Sequence, residues 1–144
     1  MKFLFILITF YTLSFAQTPF TLTKFKSLYP MVEIYTDKVP DSYKVKITKI
    51  LKEYTDELGI NTKGYSDRPL VIMISRIAVG DKLTLKMALI IGEEVKSLDD
   101  GAEVFAITYQ KVDIFEVEDL DEDLIDTVEY LLELFKEQYI EDNE

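Results

Sequence analysis

Apolar positions along the chain follow two different periods. Tyr43, Ile47, Ile50, Leu51, Tyr54 and Leu58 recur three or four apart, which places them in one stripe over about four turns of helix. Val39-Pro40-Asp41 opens this helix, since proline is tolerated in a first turn, and Gly59 closes it. Leu124, Ile125, Val128, Leu131, Leu132, Phe135 and Tyr139 make a second stripe. Asp119 is placed to cap it, with Glu122 three positions on in a capping-box layout, and the last residues, Glu-Asp-Asn-Glu, are expected to fray. Elsewhere the period is that of strands. MVEIYT (31–36) is a short strand, and LVIMISRI (70–77) is apolar enough for a central one. Leu83, Leu85, Met87, Leu89 and Ile91 alternate with Thr84, Lys86, Ala88 and Ile90, so residues 83–91 form a hairpin partner for 70–77. GEEVKSLDDG (92–101) reads as a polar link ending in a turn. Residues 102–110 form a further strand with Phe105, Ile107 and Tyr109 on one face, and 111–119 prolong the extended pattern.

The order is therefore strand, helix, strand, strand, strand, helix. Two helices with single apolar stripes need a common surface, and a four-stranded sheet supplies it. The expected fold is α+β: a two-layer sandwich in which a largely antiparallel sheet carries both helices on one face. A parallel pairing of the first two strands would make the first helix a right-handed crossover. The opposite sheet face then holds Val71, Met73, Ser75, Thr84, Lys86, Ala88 and Ile90, too apolar a set to be simply wetted. Three covers are open: residues Phe20, Leu22, Phe25 and Leu28 of the preceding segment, a partner or second copy, or a small hydrophobic ligand.

Residues 1–16, MKFLFILITFYTLSFA, set Lys2 before an apolar run and end in Ser14-Phe15-Ala16, the layout of a cleaved signal peptide. The competing layouts are a buried core segment and a retained anchor. An anchor needs about 20 apolar residues, and this run is shorter and holds Thr9, Tyr11, Thr12 and Ser14. Residues 17–30, between Pro19 and Pro30, form a leader, and 31–144 a single domain.

Composition removes whole classes of chemistry. The chain has no histidine and no cysteine, so imidazole bases, thiolate nucleophiles and Cys/His metal sites are not open to it. It has 27 acidic against 16 basic side chains, a formal charge of -11, which argues against nucleic acid as a partner. The acidity is local: residues 113–144 hold 14 acids and a single lysine. Asp119-Leu120-Asp121-Glu122-Asp123 matches the start of an EF-hand loop, yet Leu124 stands where glycine is needed and Tyr130 where a bidentate glutamate is needed. The pairs Glu93-Glu94 and Asp99-Asp100 and the serines Ser66, Ser75 and Ser97 lack any catalytic context. No catalytic, cofactor-binding or metal residue is assigned, no cofactor is expected, and the chain is read as a non-enzyme. Lys44, Lys46, Lys49 and Lys52 on the first helix could meet Asp126, Glu129 or Glu133 on the last.

The helix ending in Gly-Ile-Asn-Thr-Lys-Gly-Tyr (59–65), the strand pair 70–91, the strand AEVFAITY (102–109) and the acidic final helix together resemble small periplasmic α/β proteins of Gram-negative bacteria. Their layout is also similar to that of the lipoproteins that assist lipopolysaccharide assembly, without the lipid-bearing cysteine. The resemblance transfers no functional residue and puts outer-membrane tethering in doubt. The expected function is a periplasmic or secreted interaction or assembly module. It would meet an envelope protein or a second copy through the free sheet face, with no stable membrane anchor after signal cleavage. The alternative is a carrier holding a small hydrophobic ligand between sheet and helices.

Overall fold

The structure, a computed structural model, describes Leu22 and residues 25–144. Residues 1–16, expected to be a signal peptide, and Phe20 of the expected leader lie outside the described residues. Six elements follow in order: β1 (Tyr29–Tyr35), α1 (Tyr43–Glu57), β2 (Pro69–Ile77), β3 (Thr84–Lys96), β4 (Glu103–Glu116) and α2 (Leu120–Asn143). The sheet runs β1-β2-β3-β4, with β1 parallel to β2 and the other neighbours antiparallel. This is the α+β, two-layer arrangement that the hydrophobic pattern predicts. The parallel pair is joined through α1, and β2 to β4 form the expected meander.

Register shows which face the core takes. Val32 lies opposite Ile72, Ile72 opposite Leu89, Ile74 opposite Met87, and Ile91 opposite both Leu70 and Tyr109. These side chains are buried in one cluster with Ile47 and Leu51 of α1 and Leu124, Val128, Leu131, Leu132 and Phe135 of α2. Both helices therefore cover the same side of the sheet. Each fully buried aliphatic or aromatic side chain contributes about 1.5–3 kcal/mol of transfer free energy, and this interior is the main source of stability.

Local chemistry explains the boundaries. α1 begins at Tyr43, later than the proline signal suggests, because the Tyr43 and Lys44 amides close turns onto the Pro40 and Asp41 carbonyls first. It stops where Gly59 takes a φ of 71°, a left-handed conformation that glycine adopts without a Cβ penalty. At the start of α2 the Asp119 carboxylate accepts from the amides of Asp121 and Glu122, as expected of an N-cap. The returning arm of the box is Asp123 instead of Glu122: its Oδ2 accepts from the amides of Glu118 and Asp119 at 2.7 and 2.9 Å.

Two expectations are corrected. The segment 92–96 is strand, since β3 continues past Ile91 and pairs with β4 as a two-stranded ribbon. The C-terminal residues do not fray: α2 is helical to Asn143 because its last turn grips the leader. Asp142 accepts from the Leu22 amide at 2.6 Å, and Asn143 Nδ2 donates to the carbonyls of Leu22 and Tyr139 at 2.7 Å. Phe25 stacks on Tyr139 with ring centroids 6.0 Å apart.

Candidate functional site

The sheet face turned away from the helices is the largest feature the fold leaves unexplained. Register puts Met31, Val71, Ile90 and Gln110 in one row across it, Glu33, Met73, Ala88 and Val112 in the next, and Tyr35, Ser75, Lys86 and Ile114 in a third. All seven residues expected there from sequence alternation are present, with Thr84 opposite Ile77 and Glu116 at the far end. Along β3 the face is tucked between its neighbours, and Ala88 and Ile90 are only 5% and 9% exposed. On β4 the same face stands open: Val112 and Ile114 are 43% and 57% exposed. Such an apolar stretch in open contact with solvent is a mark of an interaction surface.

A β-bulge reshapes one end. Tyr109 lies opposite Ile91, but Gly92 lies opposite Ile107, so Thr108 is left without a partner. The phase of β4 changes there. Tyr109 turns into the core, 1% exposed, whereas Ile107 and Phe105 turn to the free face, 50% and 61% exposed. The expected single face of Phe105, Ile107 and Tyr109 is thereby split by the extra residue. Phe105 closes over Gly92 so that a Cβ there would collide with the Cζ and Cε1 atoms of its ring. A glycine in a strand leaves a gap, and a neighbouring aromatic ring fills it.

The described part of the leader does not cover this face. Leu22, Phe25 and Leu28 are buried in the core cluster, with Leu22 and Phe25 held against the end of α2. The concavities bordered by Arg68 and Glu93, by Lys82 and Glu116, by Val45 and Lys52, and by Tyr29 and Phe105 are open hollows at the surface. The first of them is a polar cleft in which Arg68 Nε pairs with Glu93 at 2.7 Å. The interior is packed, apart from one orphaned polar atom: the Tyr109 hydroxyl has no hydrogen-bond partner among the described residues.

Asp119, Asp121 and Asp123 of the cation-loop-like string are occupied structurally. Asp119 and Asp123 cap α2, and Asp121 receives Lys46 Nζ on both carboxylate oxygens, at 2.7 and 2.9 Å. No group of three metal-ligating side chains converges among the described residues. Asp100 accepts the Ala102 amide at 3.0 Å within the β3–β4 turn, and that bond, with one from Ser97, holds its carboxyl below the usual range. Ser66 is bonded to Ser27.

Helix-to-helix pairing differs from expectation in its partners. The α1 lysines do not pair with Asp126, Glu129 or Glu133. Lys46 takes Asp121, and Lys136 of α2 reaches back to Glu57 at 2.8 Å. Glu133 instead accepts from Tyr54, whose phenol is pushed up to about 12 by burial first and by this bond second. The Lys46 hydrogen bond is the main reason the Asp121 carboxyl is held below its ordinary value. A depressed carboxyl stabilises the fold above its unfolded pKa, about 3.9, and that contribution fades as pH falls through the lower folded value. The stability difference between the wild type and Asp121→Asn, read by urea denaturation, is therefore expected to be constant near neutrality and to shrink below pH about 4. A difference that persists at pH 2 would assign the effect to something other than the Lys46–Asp121 charge pair.

No protein-family model matches this chain, and no curated protein is detectably similar to it.

Proposed function

We propose that the chain is an exported, non-catalytic envelope protein that acts as an interaction or assembly module. The observation that carries this reading is the free sheet face, apolar in its centre and open along β4, on a domain whose interior is already filled. Export is supported by the charge-then-apolar layout of residues 1–16 and the small residues at its end. The non-catalytic part is supported by the absence of histidine and cysteine from the sequence and by the structural engagement of Asp119, Asp121 and Asp123. A carrier would need space between sheet and helices, where the described residues pack against one another.

The test uses positions that can be changed without touching the core. A photo-crosslinking residue placed at Ile114, 57% exposed, is expected to trap a partner in the periplasmic fraction. Val112→Asp is expected to abolish that adduct while leaving the circular dichroism and thermal midpoint close to wild type. Native mass spectrometry of the same material should find no bound lipid. An adduct unchanged by Val112→Asp, or a lipid that co-purifies in fixed stoichiometry, would overturn the reading.

A further inference from the structure

The edges of the sheet are protected against strand pairing, and the face between them is not. β1 is seven residues long and carries Pro30, which has no amide hydrogen to offer a neighbour. β4 is longer, but it is broken by the bulge at Thr108, and Lys111 and Asp113 lie opposite Leu89 and Met87, on the helix side. Bulges and inward-pointing charges are devices that keep an edge unpaired. On the free face Met31, Val71, Met73, Ala88, Ile90 and Val112 form an apolar group with Glu33 and Lys86 at its margin.

Two of the charges on that face, Glu33 and Lys86, are complementary under a two-fold operation. Among the described residues neither Glu33 on β1 nor Lys86 on β3 has an oppositely charged group within ion-pair distance. They sit two strands and one row apart, about 12 Å, and their midpoint falls on β2 between Met73 and Ser75. A two-fold axis that lies between two stacked sheets, above that point and perpendicular to the line from Glu33 to Lys86, sets Glu33 of each copy against Lys86 of the other. It also brings Met73 against its own copy near the centre of the apolar patch.

Area and long-range charge agree with this occupant. Four strands of about seven residues span roughly 440 Å² in projection. Side-chain relief raises this toward the roughly 800 Å² of accessible surface that each partner buries in a standard interface. The acidic α2 lies on the other layer of the domain. With layers about 10 Å apart, sheet-to-sheet stacking keeps the two acidic helices about 30 Å from each other, several times the Debye length of about 8 Å. Association through the helix layer would instead press these like charges together.

We propose that the free face is the interface of a two-fold homodimer, in which two copies stack sheet on sheet into a four-layer α-β-β-α sandwich. The proposal rests on reading the face as an interaction surface and names a second copy as what covers it. Its test is sedimentation equilibrium on protein purified from cells expressing the complete chain. The wild type is expected to sediment as a dimer. Met73→Glu places like charges at the axis and should weaken the dimer about 100-fold with unchanged circular dichroism. Lys86→Glu and Glu33→Lys should each weaken it about tenfold, and the double variant should return toward wild type. A monomeric wild type, a dimer indifferent to Met73→Glu, or a double variant weaker than both singles would overturn the proposal. If the wild type is monomeric but Val112→Asp still removes Ile114 adducts to a different protein, the dimer fails while the interaction-module reading stands.

Discussion

Phe135→Ala is expected to destabilise the domain by about 3–5 kcal/mol, the range for deleting a buried aromatic ring from a packed core. Phe135 is fully buried on α2 and meets Tyr109 edge-on, with centroids 5.7 Å apart, and Tyr139 at 6.0 Å. Tyr139 in turn stacks on Phe25 of the leader, so one ring joins the sheet, the last helix and the N-terminal segment. Removing it leaves a cavity whose walls are held by three different elements and cannot easily close. Domains of this size carry only about 5–15 kcal/mol of net stability, so the variant should unfold at markedly lower urea with an unchanged m-value. A loss below about 1 kcal/mol would mean that the surrounding side chains collapse into the gap.

Much of this interior is legible in the order of residues. The stripes at 43–58 and 124–139 place Ile47, Leu51, Leu124, Val128, Leu131, Leu132 and Phe135 in the core, where they are found. The alternation at 83–91 separates the core side chains from those of the free face without error. What alternation does not carry is a change of phase. One unpaired residue, Thr108, inverts every side chain before it, and nothing in AEVFAITYQ distinguishes the bulged residue from its neighbours. The continuation of β3 is hidden for a related reason. Beyond Ile91 the strand pairs with β4 alone, and a two-stranded ribbon leaves its sides wet enough for Glu93 and Glu94. A polar composition there looks like a loop although the backbone is fully laddered.

The candidate surface was partly legible and its cover was not. Sequence alternation identifies a face too apolar to be wetted, but says nothing of where the leader goes. That is decided by Asp142 and Asn143, which lie in a stretch whose composition suggests only a frayed, charged end. Their hydrogen bonds to Leu22 draw the leader over the end of α2. The same applies to the aspartates around residue 121. As a string they imitate a cation loop; in three dimensions the helix start consumes two of them and Lys46 the third.

Tyr109→Phe should stabilise the protein, by about 1–3 kcal/mol, the cost of keeping a buried hydroxyl unsatisfied. The ring is 1% exposed and its packing against Phe135 would be retained, so the substitution removes only the atom that makes no hydrogen bond among the described residues. A pH series separates this explanation from a general packing effect. Burial, and secondarily the charge of Asp142, push the Tyr109 phenol far above its ordinary value near 10. A group whose pKa is raised by folding contributes stability that is complete below the unfolded pKa and is lost as pH rises above it. The wild type must therefore lose stability above pH about 10 that Tyr109→Phe does not lose, and the advantage of the variant should widen there. Tyr43 and Tyr54, also raised, are present in both proteins and cancel from the comparison. A variant less stable than wild type at pH 7 would mean that the hydroxyl is hydrogen bonded in solution. An advantage that stays flat through pH 11 would mean that the phenol is not held in an apolar site.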